Sequence, residues 1–378
     1  MREGARIPER FAKANDYVSL EVDSGYSMGG GDSMRRFCLV CAAGIMILAF
    51  AGLAQQVPAS GPYKVSKTVK VGGAGTFDTA LADTVGRRLY IPRKAPGRIT
   101  VFNLDTLEQV GEIPDAAANG AVVDPKSGHG FASSKPVVMW DTKTLKTIKT
   151  IDVQGGPDAI LFDPFNERVY IFSHTAPHAT AINAVDGTVA GTLDLGGMPE
   201  QAVTDGKGRV YVDIRDTNKV AVIDAKTLTV AAQYDLAGKG GRCSGLAIDV
   251  KNQILFAACR EPQTMVMLKA GDGKILDALP IGSGVDSAIF NPGTMETYSA
   301  QVDGTLTIVK EVSPTSFKVE QTVQTKESAK QMVWDSKTGR ILLIAADYGP
   351  VPTPAPGAAP AARGPMVPDS FSILVVSK

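Results

Sequence analysis

The chain has 378 residues, of which 44% are hydrophobic, and this apolar content is enough for one large domain or for about two or three average ones. Its 39 basic and 39 acidic residues cancel to a formal net charge of zero, so the basic surplus typical of nucleic-acid binding is missing and no nucleic-acid partner is predicted. The 39 glycines and 23 prolines interrupt the chain at short intervals, which is typical of a turn-rich β protein.

The N-terminal part has the layout of a secretory signal peptide. Residues 34–54 begin with a basic stretch, continue through an apolar run at 37–50 and end in small residues. The run has about 14 residues, whereas a membrane span needs roughly 20. We therefore predict cleavage near Gln55, no stable membrane anchor after cleavage, and a periplasmic or secreted mature protein. Residues 1–33 lack an apolar period and are interpreted as a disordered leader or a start codon assigned too early.

A repeat runs through residues 55–378. In each unit, a short apolar run ends in Asp or Asn, a turn follows, and a second run rich in β-forming residues begins. These Asp or Asn anchors are 39 to 44 residues apart. They are Asp83, Asp124, Asp163, Asp205, Asp249, Asn291 and Asp335.

Two further β-rich runs follow the second one in the clearest units, such as the unit that contains 219–224. Each unit therefore predicts four strands, A to D, joined by hairpins. Seven units of about 42 residues match the length of a four-stranded propeller blade. We predict an all-β fold, a single seven-bladed β-propeller with four-stranded antiparallel blades. A β-solenoid is the alternative, although its rungs are usually shorter than these units.

The second run of several units contains a Tyr followed by an aliphatic residue, and Gly-Gly pairs at 155–156 and 196–197 precede two of these units. The pairs are Tyr90-Ile91, Tyr170-Ile171 and Tyr211-Val212. The units resemble the YVTN-type β-propeller repeat family of exported bacterial proteins, and the resemblance covers residues 63–378. The Thr-Asn half of that signature is replaced here, for example by Pro92-Arg93. The resemblance implies a scaffold or binding role more than an activity.

The repeat places one residue of each unit around one end of the predicted channel. In a propeller, the loops before strand A and those between strands B and C lie on the same face. The residues five positions before the anchors form the predicted ring: Asp78, Asn119, Asp158, Glu200, Ser244, Asp286 and Lys330. Just past strand B, and expected outside the ring, are Arg93, His174, Arg215 and Arg260. We predict a polar, ligand-binding mouth with an acidic inner rim.

Two interpretations of the acidic rim stay open. Oxygen-rich clusters suit hard cations such as Ca²⁺. In the other interpretation, which we prefer, the acids cap turns and pair with arginines, and the protein needs no cofactor. His174 and His178 share one loop between strands B and C, but no third ligand at a recognisable spacing accompanies them, so we assign no metal site to this pair.

Cys243 and Cys259 are the cysteines that remain after signal cleavage. A symmetric hairpin centred near Lys251 would place them directly opposite each other, as it would place Ile248 opposite Ile254. Directly opposed Cβ atoms lie about 4.5–5.5 Å apart, close to disulfide reach. In an oxidising compartment we therefore predict a disulfide, and two reduced core cysteines are the alternative.

The last repeat lacks a strand and contains an insertion. It ends at 371–376, its strand C, and residues 64–71 are predicted to supply strand D and to close the ring, which hides an edge that invites aggregation. Residues 348–369 form a Pro/Ala-rich insertion between its strands B and C. This composition predicts an extended or disordered surface loop, with a lid or docking strap as the alternative.

Together these features predict a non-enzymatic, monomeric scaffold that binds a small ligand or a protein partner at the polar mouth. The alternative is a metal-dependent, lactonase-type hydrolase at the same face, with a divalent cation and the candidate residues Asp158, Glu200, His174 and Arg215. A hydrolase should bring carboxylates and a His or Asn together on one metal. A scaffold should instead engage its acids in arginine pairs and turns.

Overall fold

The structure of this chain is a computed structural model that describes residues 60–73, 75–353 and 363–378. The predicted leader at 1–33, the signal peptide at 34–54 and the central part of the insertion at 354–362 lie outside the described residues. The described residues form β-strands joined by turns and loops. No helix among them is long and apolar enough to cross a membrane.

The strands are numbered in chain order. Before the first repeat lies β1 Lys64–Lys70. Repeats 1 and 2 contain β2 Leu81–Asp83, β3 Arg88–Arg93, β4 Arg98–Asn103, β5 Gln109–Ile113, β6 Ala121–Asp124, β7 His129–Ala132, β8 Val137–Asp141 and β9 Thr147–Ile151. Repeats 3 and 4 contain β10 Pro157–Asp163, β11 Arg168–Ser173, β12 Ala179–Asn183, β13 Val189–Leu193, β14 Pro199–Thr204, β15 Arg209–Ile214, β16 Lys219–Asp224 and β17 Thr229–Asp235. Repeats 5 and 6 contain β18 Gly245–Asp249, β19 Ile254–Arg260, β20 Gln263–Lys269, β21 Ile275–Pro280, β22 Val285–Asn291, β23 Glu296–Gln301, β24 Thr305–Ser313 and β25 Ser316–Gln324. Repeat 7 contains β26 Gln331–Asp335, β27 Arg340–Ala345 and β28 Ser372–Ser377.

These strands pair into seven four-stranded sheets, and each sheet is one blade. In blades 1 to 6 the order within the sheet follows the chain, as in β2-β3-β4-β5 of blade 1, and neighbouring strands are antiparallel. Blade 7 has the order β26-β27-β28-β1, so its outermost strand comes from before the first repeat. The predicted fold class, including closure by an N-terminal strand, is confirmed.

The recurring Asp or Asn anchors shape the turn between strands A and B. Oδ1 of Asp83 accepts hydrogen bonds from the backbone nitrogens of Val85 and Gly86 at 3.1 and 2.8 Å. The other anchors accept bonds from their own turns in the same way. A short side-chain carboxylate or amide can satisfy these otherwise free N–H groups, which explains why only these residue types stand at the anchor.

The first residue of strand B fastens several blades to the next one. Arg168 of blade 3 donates a hydrogen bond from Nη1 to the carbonyl oxygen of Ala225 in blade 4 at 3.1 Å. Arg88, His129 and Arg340 make corresponding contacts from blades 1, 2 and 7 to carbonyl oxygens of blades 2, 3 and 1. The ring is therefore held by polar contacts as well as by its core.

Hydrophobic side chains fill the space between neighbouring blades. Because successive residues of a strand point to opposite faces, each blade packs one face against each neighbour. Between blades 1 and 2, the rings of Tyr90 and Trp140 are fully buried with their centroids 5.7 Å apart. Gly130, paired with Trp140 on the adjacent strand, leaves room for the indole, since an added Cβ would lie 2.1 Å from a ring carbon.

A buried cluster around Tyr63, directly before β1, reinforces the closure of the ring. The Tyr63 hydroxyl donates a hydrogen bond to Glu296 of blade 6 at 2.5 Å and lies 2.9 Å from the Tyr298 hydroxyl. The side chain of Gln321 bonds the Tyr63 backbone through its oxygen and its nitrogen, at 3.0 and 2.7 Å. Lys378 Nζ lies 3.2 Å from the same Glu296 carboxylate. Both ends of the described propeller are thus tied to blade 6 as well as to each other.

Cys243 and Cys259 form a disulfide, but the hairpin register used to predict it is shifted by one residue. β18 and β19 pair Ile248 with Leu255, not with Ile254, because the turn is centred half a residue later than assumed. Cys243 therefore lies before β18, in the loop that enters blade 5, and reaches Cys259 from that loop.

Replacing both Cys243 and Cys259 with Ala should lower the free energy of unfolding by about 2–3 kcal/mol, because the bond joins positions 16 residues apart and restricts the unfolded chain. Urea denaturation with and without a reductant measures this. Reductant should move the wild type toward the variant and leave the variant unchanged. Equal stability of the two proteins under oxidising conditions would contradict the disulfide.

Tyr63→Phe should lower the free energy of unfolding by about 1–3 kcal/mol, because the buried Glu296 carboxylate loses a charge-assisted hydrogen bond. Tyr234→Phe is the matched control, since its hydroxyl bonds a neutral acceptor, the Ala270 carbonyl oxygen, at 2.9 Å. Denaturant titrations of both variants give the comparison. A greater loss for Tyr234→Phe than for Tyr63→Phe would contradict the role assigned to the closure cluster.

Candidate functional site

The inner strands of blades 3, 4 and 6 begin with a β-bulge at the channel mouth, the end of the channel where the A strands start. The register shifts where β10 pairs with β11, where β14 pairs with β15 and where β22 pairs with β23. The residues inside these shifts include the ring acids Asp158, Glu200 and Asp286. A bulge bends its strand and re-aims a side chain, which explains how these carboxylates reach the channel.

One cavity of about 450 Å³ lies at the channel mouth. The seven ring residues all line it: Asp78, Asn119, Asp158, Glu200, Ser244, Asp286 and Lys330. His174, Arg215 and Arg260, which follow strand B or end it, line it as well. The volume falls within the range of small-molecule sites, about 300–1,000 Å³.

Arg93 does not line this cavity, in contrast to the sequence prediction. It is the last residue of β3, and strand alternation puts its side chain on the same face as Leu89 and Ile91, which pack against blade 7. There the guanidinium lies over the Phe371 ring, 4.1 Å from its centroid. This burial lowers the pKa of Arg93.

His174 joins the acids of blades 3 and 4. Its Nε2 lies 3.1 Å from Asp158 Oδ2 and 3.5 Å from Glu200 Oε1. These carboxylates, Asp158 first, raise the pKa of His174 to about 10, so the imidazole is positively charged at neutral pH. Asn119 Nδ2 donates to Asp158 Oδ1 at 2.6 Å, and Arg215 Nη1 donates to Glu200 Oε1 at 2.9 Å.

Asp286 is the centre of a second cluster, built from blades 5, 6, 7 and 1. Its carboxylate pairs with Arg260 and with Lys330, and Gln331 Nε2 donates to it at 2.8 Å and to Asp78 Oδ1 at 2.9 Å. Burial raises the pKa of Asp78 to about 7, although Lys330 opposes the shift. Burial lowers the pKa of Lys330, but Asp286 and Asp78 outweigh this effect and raise it.

Acids and bases therefore lie side by side at the mouth, and the acids are engaged by cationic or amide side chains. Lys330 stands in the ring itself, and Arg260 reaches Asp286 in the next blade. The physical reason is that partly buried carboxylates need cationic or hydrogen-bonding partners. The acids are Asp78, Asp158, Glu200 and Asp286, and the bases are His174, Arg215, Arg260 and Lys330.

Ser244 and Asp213 are buried residues at or beside the mouth whose side chains have no hydrogen-bond partner among the described residues. Ser244 lines the cavity, is 2% exposed, and leaves its Oγ unpaired. Asp213 lies on β15, opposite the bulge that contains Glu200, and neither of its carboxylate oxygens is paired. Burial, and then the charge of Glu200, raise the pKa of Asp213 well above its usual value. Of the two, only Ser244 lines the cavity.

The sequence analysis missed two glutamines, Gln201 and Gln331, that line the same cavity. Gln201 Nε2 donates to the Ala288 carbonyl oxygen at 3.0 Å, and its Oε1 accepts from the Leu246 and Ala288 nitrogens at 3.2 and 3.0 Å. It thus links blade 4 to blades 5 and 6 one step below the ring. Both glutamines lie four positions before their anchors. This shared position in the repeat could have identified them as cavity residues from the sequence.

The other two histidines lie away from the cavity. His178, the second histidine of the loop predicted to face the mouth, contacts the Asp194 carboxylate instead. His129 Nδ1 lies 3.0 Å from the Ala184 carbonyl oxygen, at the contact between blades 2 and 3. Among the described residues, the group with the composition and spacing of a metal site is Asp158, His174 and Glu200.

Comparison with solved structures shows the same fold. The structure of U3-55K matches with a TM-score of 0.65 at 10% identity, over 83% of this chain and 99% of that one. A chain in the crystal structure of the mitotic checkpoint complex matches with a TM-score of 0.63 at 11% identity, over 79% of this chain and 94% of that one. At this identity the similarity shows the β-propeller fold alone. No protein-family model and no curated protein matches the chain.

Asp78→Asn should stabilise the protein by about 1–3 kcal/mol at about pH 8 and by much less at about pH 4. The folded-state pKa of about 7 lies above the usual 3.8, so the unfolding free energy of the wild type falls as the pH rises through this window. Asn removes that dependence. Urea titrations across the pH range measure the difference between variant and wild type.

Asp152→Asn is the control for this prediction, because Asp152 is exposed and lies outside the cavity. It should not reproduce the gain in stability between about pH 4 and about pH 8 that is expected of Asp78→Asn. A stability difference between Asp78→Asn and the wild type that does not change with pH would contradict the raised pKa of Asp78.

Proposed function

We propose that this protein is an exported, non-enzymatic β-propeller that binds a small, carboxylate-bearing ligand at its channel mouth. The observation that carries the proposal is the buried hydroxyl of Ser244, which lines the cavity and has no partner among the described residues. Buried polar groups are normally hydrogen-bonded, so a ligand oxygen is the expected acceptor for this hydroxyl.

Two arginines favour an anionic ligand at this point of the mouth. Arg215 of blade 4 precedes Ser244 around the ring and Arg260 of blade 5 follows it, and both line the cavity. Arg215 bonds Glu200 through Nη1, and Arg260 bonds its neighbours through Nε and Nη2. Guanidinium groups present several donors in a fixed plane, which suits the two oxygens of a carboxylate.

The existing ion pairs disfavour a cationic ligand at the Ser244 side of the mouth. Asp286 already contacts Arg260 and Lys330. An incoming amine would have to displace a built-in cation before it could reach this carboxylate. The hydroxyl of Ser244, in contrast, has no partner among the described residues that a ligand would have to displace.

A metal-dependent, lactonase-type hydrolase is the second candidate, and one observation favours it. Asp158, His174 and Glu200 bring a ring nitrogen and two carboxylate oxygens together in the cavity. We rank the hydrolase second because the Asp286 carboxylate pairs with Arg260 and Lys330. Pairing of the mouth acids with basic side chains is the arrangement expected of a binding scaffold.

Export is supported by two independent features. Residues 34–54 have the layout of a signal peptide, and the disulfide between Cys243 and Cys259 is of a kind that persists in oxidising compartments. The Tyr-aliphatic pairs that begin at Tyr90, Tyr170 and Tyr211 support membership of the YVTN-type repeat family. We therefore propose a periplasmic or secreted monomer of that family.

Ser244→Ala separates a binding role from a structural one. An unpaired buried hydroxyl costs about 1–3 kcal/mol, so its removal should leave the free protein as stable as the wild type or more so. The same change should weaken carboxylate binding about 5- to 10-fold, the loss expected for one hydrogen bond. Calorimetric titration of the full chain with acetate, lactate, succinate and glutamate measures the affinity, with ethylamine and glycerol as comparison compounds.

Ser377→Ala is the control, because Ser377 lies outside the cavity and bonds Ser66. It should bind the carboxylates as the wild type does. Binding of none of the four carboxylates, preference for the amine, or equal affinity of Ser244→Ala and Ser377→Ala would each overturn the proposal.

A further inference from the structure

Three potential metal ligands converge on one side of the cavity. Nε2 of His174, Oδ2 of Asp158 and Oε1 of Glu200 all lie within 4.8 Å of one another. They come from two blades and from three separate segments of the chain. One nitrogen and two carboxylate oxygens in this arrangement can surround a single ion and still leave a coordination position for water or for a ligand.

The Asp158 carboxylate is held in place by its surroundings. Asn119 Nδ2 donates to Asp158 Oδ1 at 2.6 Å, which leaves Oδ2 directed to His174. Ser133 Oγ donates to the Asp158 carbonyl oxygen at 2.6 Å and fixes the bulged backbone. Hydrogen bonds to a ligating carboxylate are typical of metal sites, because they orient the ligand before the ion arrives.

The histidine is held in a similar way. Ser173, directly before His174, accepts a hydrogen bond at its Oγ from the Gly156 nitrogen at 2.7 Å, which ties the loop to the start of β10. Gly155 makes this close approach possible, since a Cβ there would lie 2.3 Å from the same Oγ. His174 Nε2 is buried and makes no well-directed hydrogen bond within the described residues, although both carboxylates are close to it. Such a nitrogen faces the point between the two carboxylates.

We propose that Asp158, His174 and Glu200 bind one divalent transition-metal ion, with Zn²⁺ as the best fit. An imidazole nitrogen beside carboxylates suits Zn²⁺, whereas Ca²⁺ is bound by six to eight oxygens and does not use histidine. In the free protein His174 carries a proton on Nε2, so the ion takes the place of this proton between the same two carboxylates and the proton is released to solvent. The site lies in blades 3 and 4 and does not involve Ser244. It therefore stands or fails independently of carboxylate binding.

The test is calorimetric titration of the EDTA-treated full chain with ZnCl₂, and with CaCl₂ for comparison. We expect one equivalent of Zn²⁺ and no Ca²⁺ in the same concentration range. His174→Gln should weaken Zn²⁺ binding by about 100-fold or more, and Asn119→Ala by about 10- to 100-fold, the range found when a supporting hydrogen bond is lost. His178→Gln is the matched control, because His178 contacts Asp194 outside the cavity, and it should bind as the wild type does.

Co²⁺ substitution gives a second readout that does not depend on affinity. The visible spectrum of bound Co²⁺ should indicate nitrogen and oxygen ligation at low coordination number, and His174→Gln should abolish it while the far-ultraviolet circular dichroism stays unchanged. Zn²⁺ binding that survives His174→Gln, or that is lost equally in His178→Gln, would overturn the proposal, as would the absence of any stoichiometric binding. Carboxylate affinity measured in EDTA reports on the Ser244 site alone, so the two proposals can fail separately.

Discussion

The antiparallel pairing of β1 with β28 is the constraint on which the rest of the structure depends. Blades 1 to 6 are continuous meanders, but blade 7 is complete only when Val65 and Val69 from one end of the propeller lie opposite Val376 and Ile373 from the other. Each blade buries both faces against neighbours, so an open ring would expose two apolar faces at once. Closure turns seven repeats into one cooperative unit.

Closure also creates the site, because it fixes the distance between inner strands. Gln331 of blade 7 can bond Asp78, 253 positions away, only because blade 1 is its neighbour in the closed ring. Gln201 reaches Ala288 two blades away for the same reason. The chemistry of the mouth therefore resides in contacts between repeats, although each contributing residue is placed by its own repeat.

Much of this could be predicted from the sequence, since it follows from local rules. The anchor carboxylates cap their own turns, so counting back from each anchor along a strand of nearly constant length identified the ring, from Asp78 to Lys330. The prediction that Arg93 lines the mouth was wrong. Arg93 is the last residue of β3, and strand alternation directs its side chain to the interface with blade 7, where it lies over the Phe371 ring. The partners of Asp286 and Glu200 could not be predicted, because a repeat pattern states which residues face the channel but not how wide the channel is.

The disulfide shows a different limit. Its cysteines are close, yet the register behind the prediction was one residue off, because a hairpin turn of four residues has its centre between two residues and not on one. Since a one-residue slip moves a side chain to the opposite face of a sheet, the prediction succeeded only because Cys243 lies in a loop, where alternation does not apply. Positions in regular strands tolerate no such error.

The closure strand also has a consequence for the order of folding. Ser66 and Ser377, which bond across the β1–β28 pair, are 311 positions apart, so the first strand of the described propeller can pair only after the last one has been synthesised. Pairings this remote carry the greatest loop-closure entropy and form slowly. Until β1 pairs with β28, the outer edge of β28 has free backbone hydrogen-bonding groups. The β1 segment of another molecule can pair with this edge equally well. The strand that completes the monomer is therefore the segment through which two chains would exchange by domain swapping.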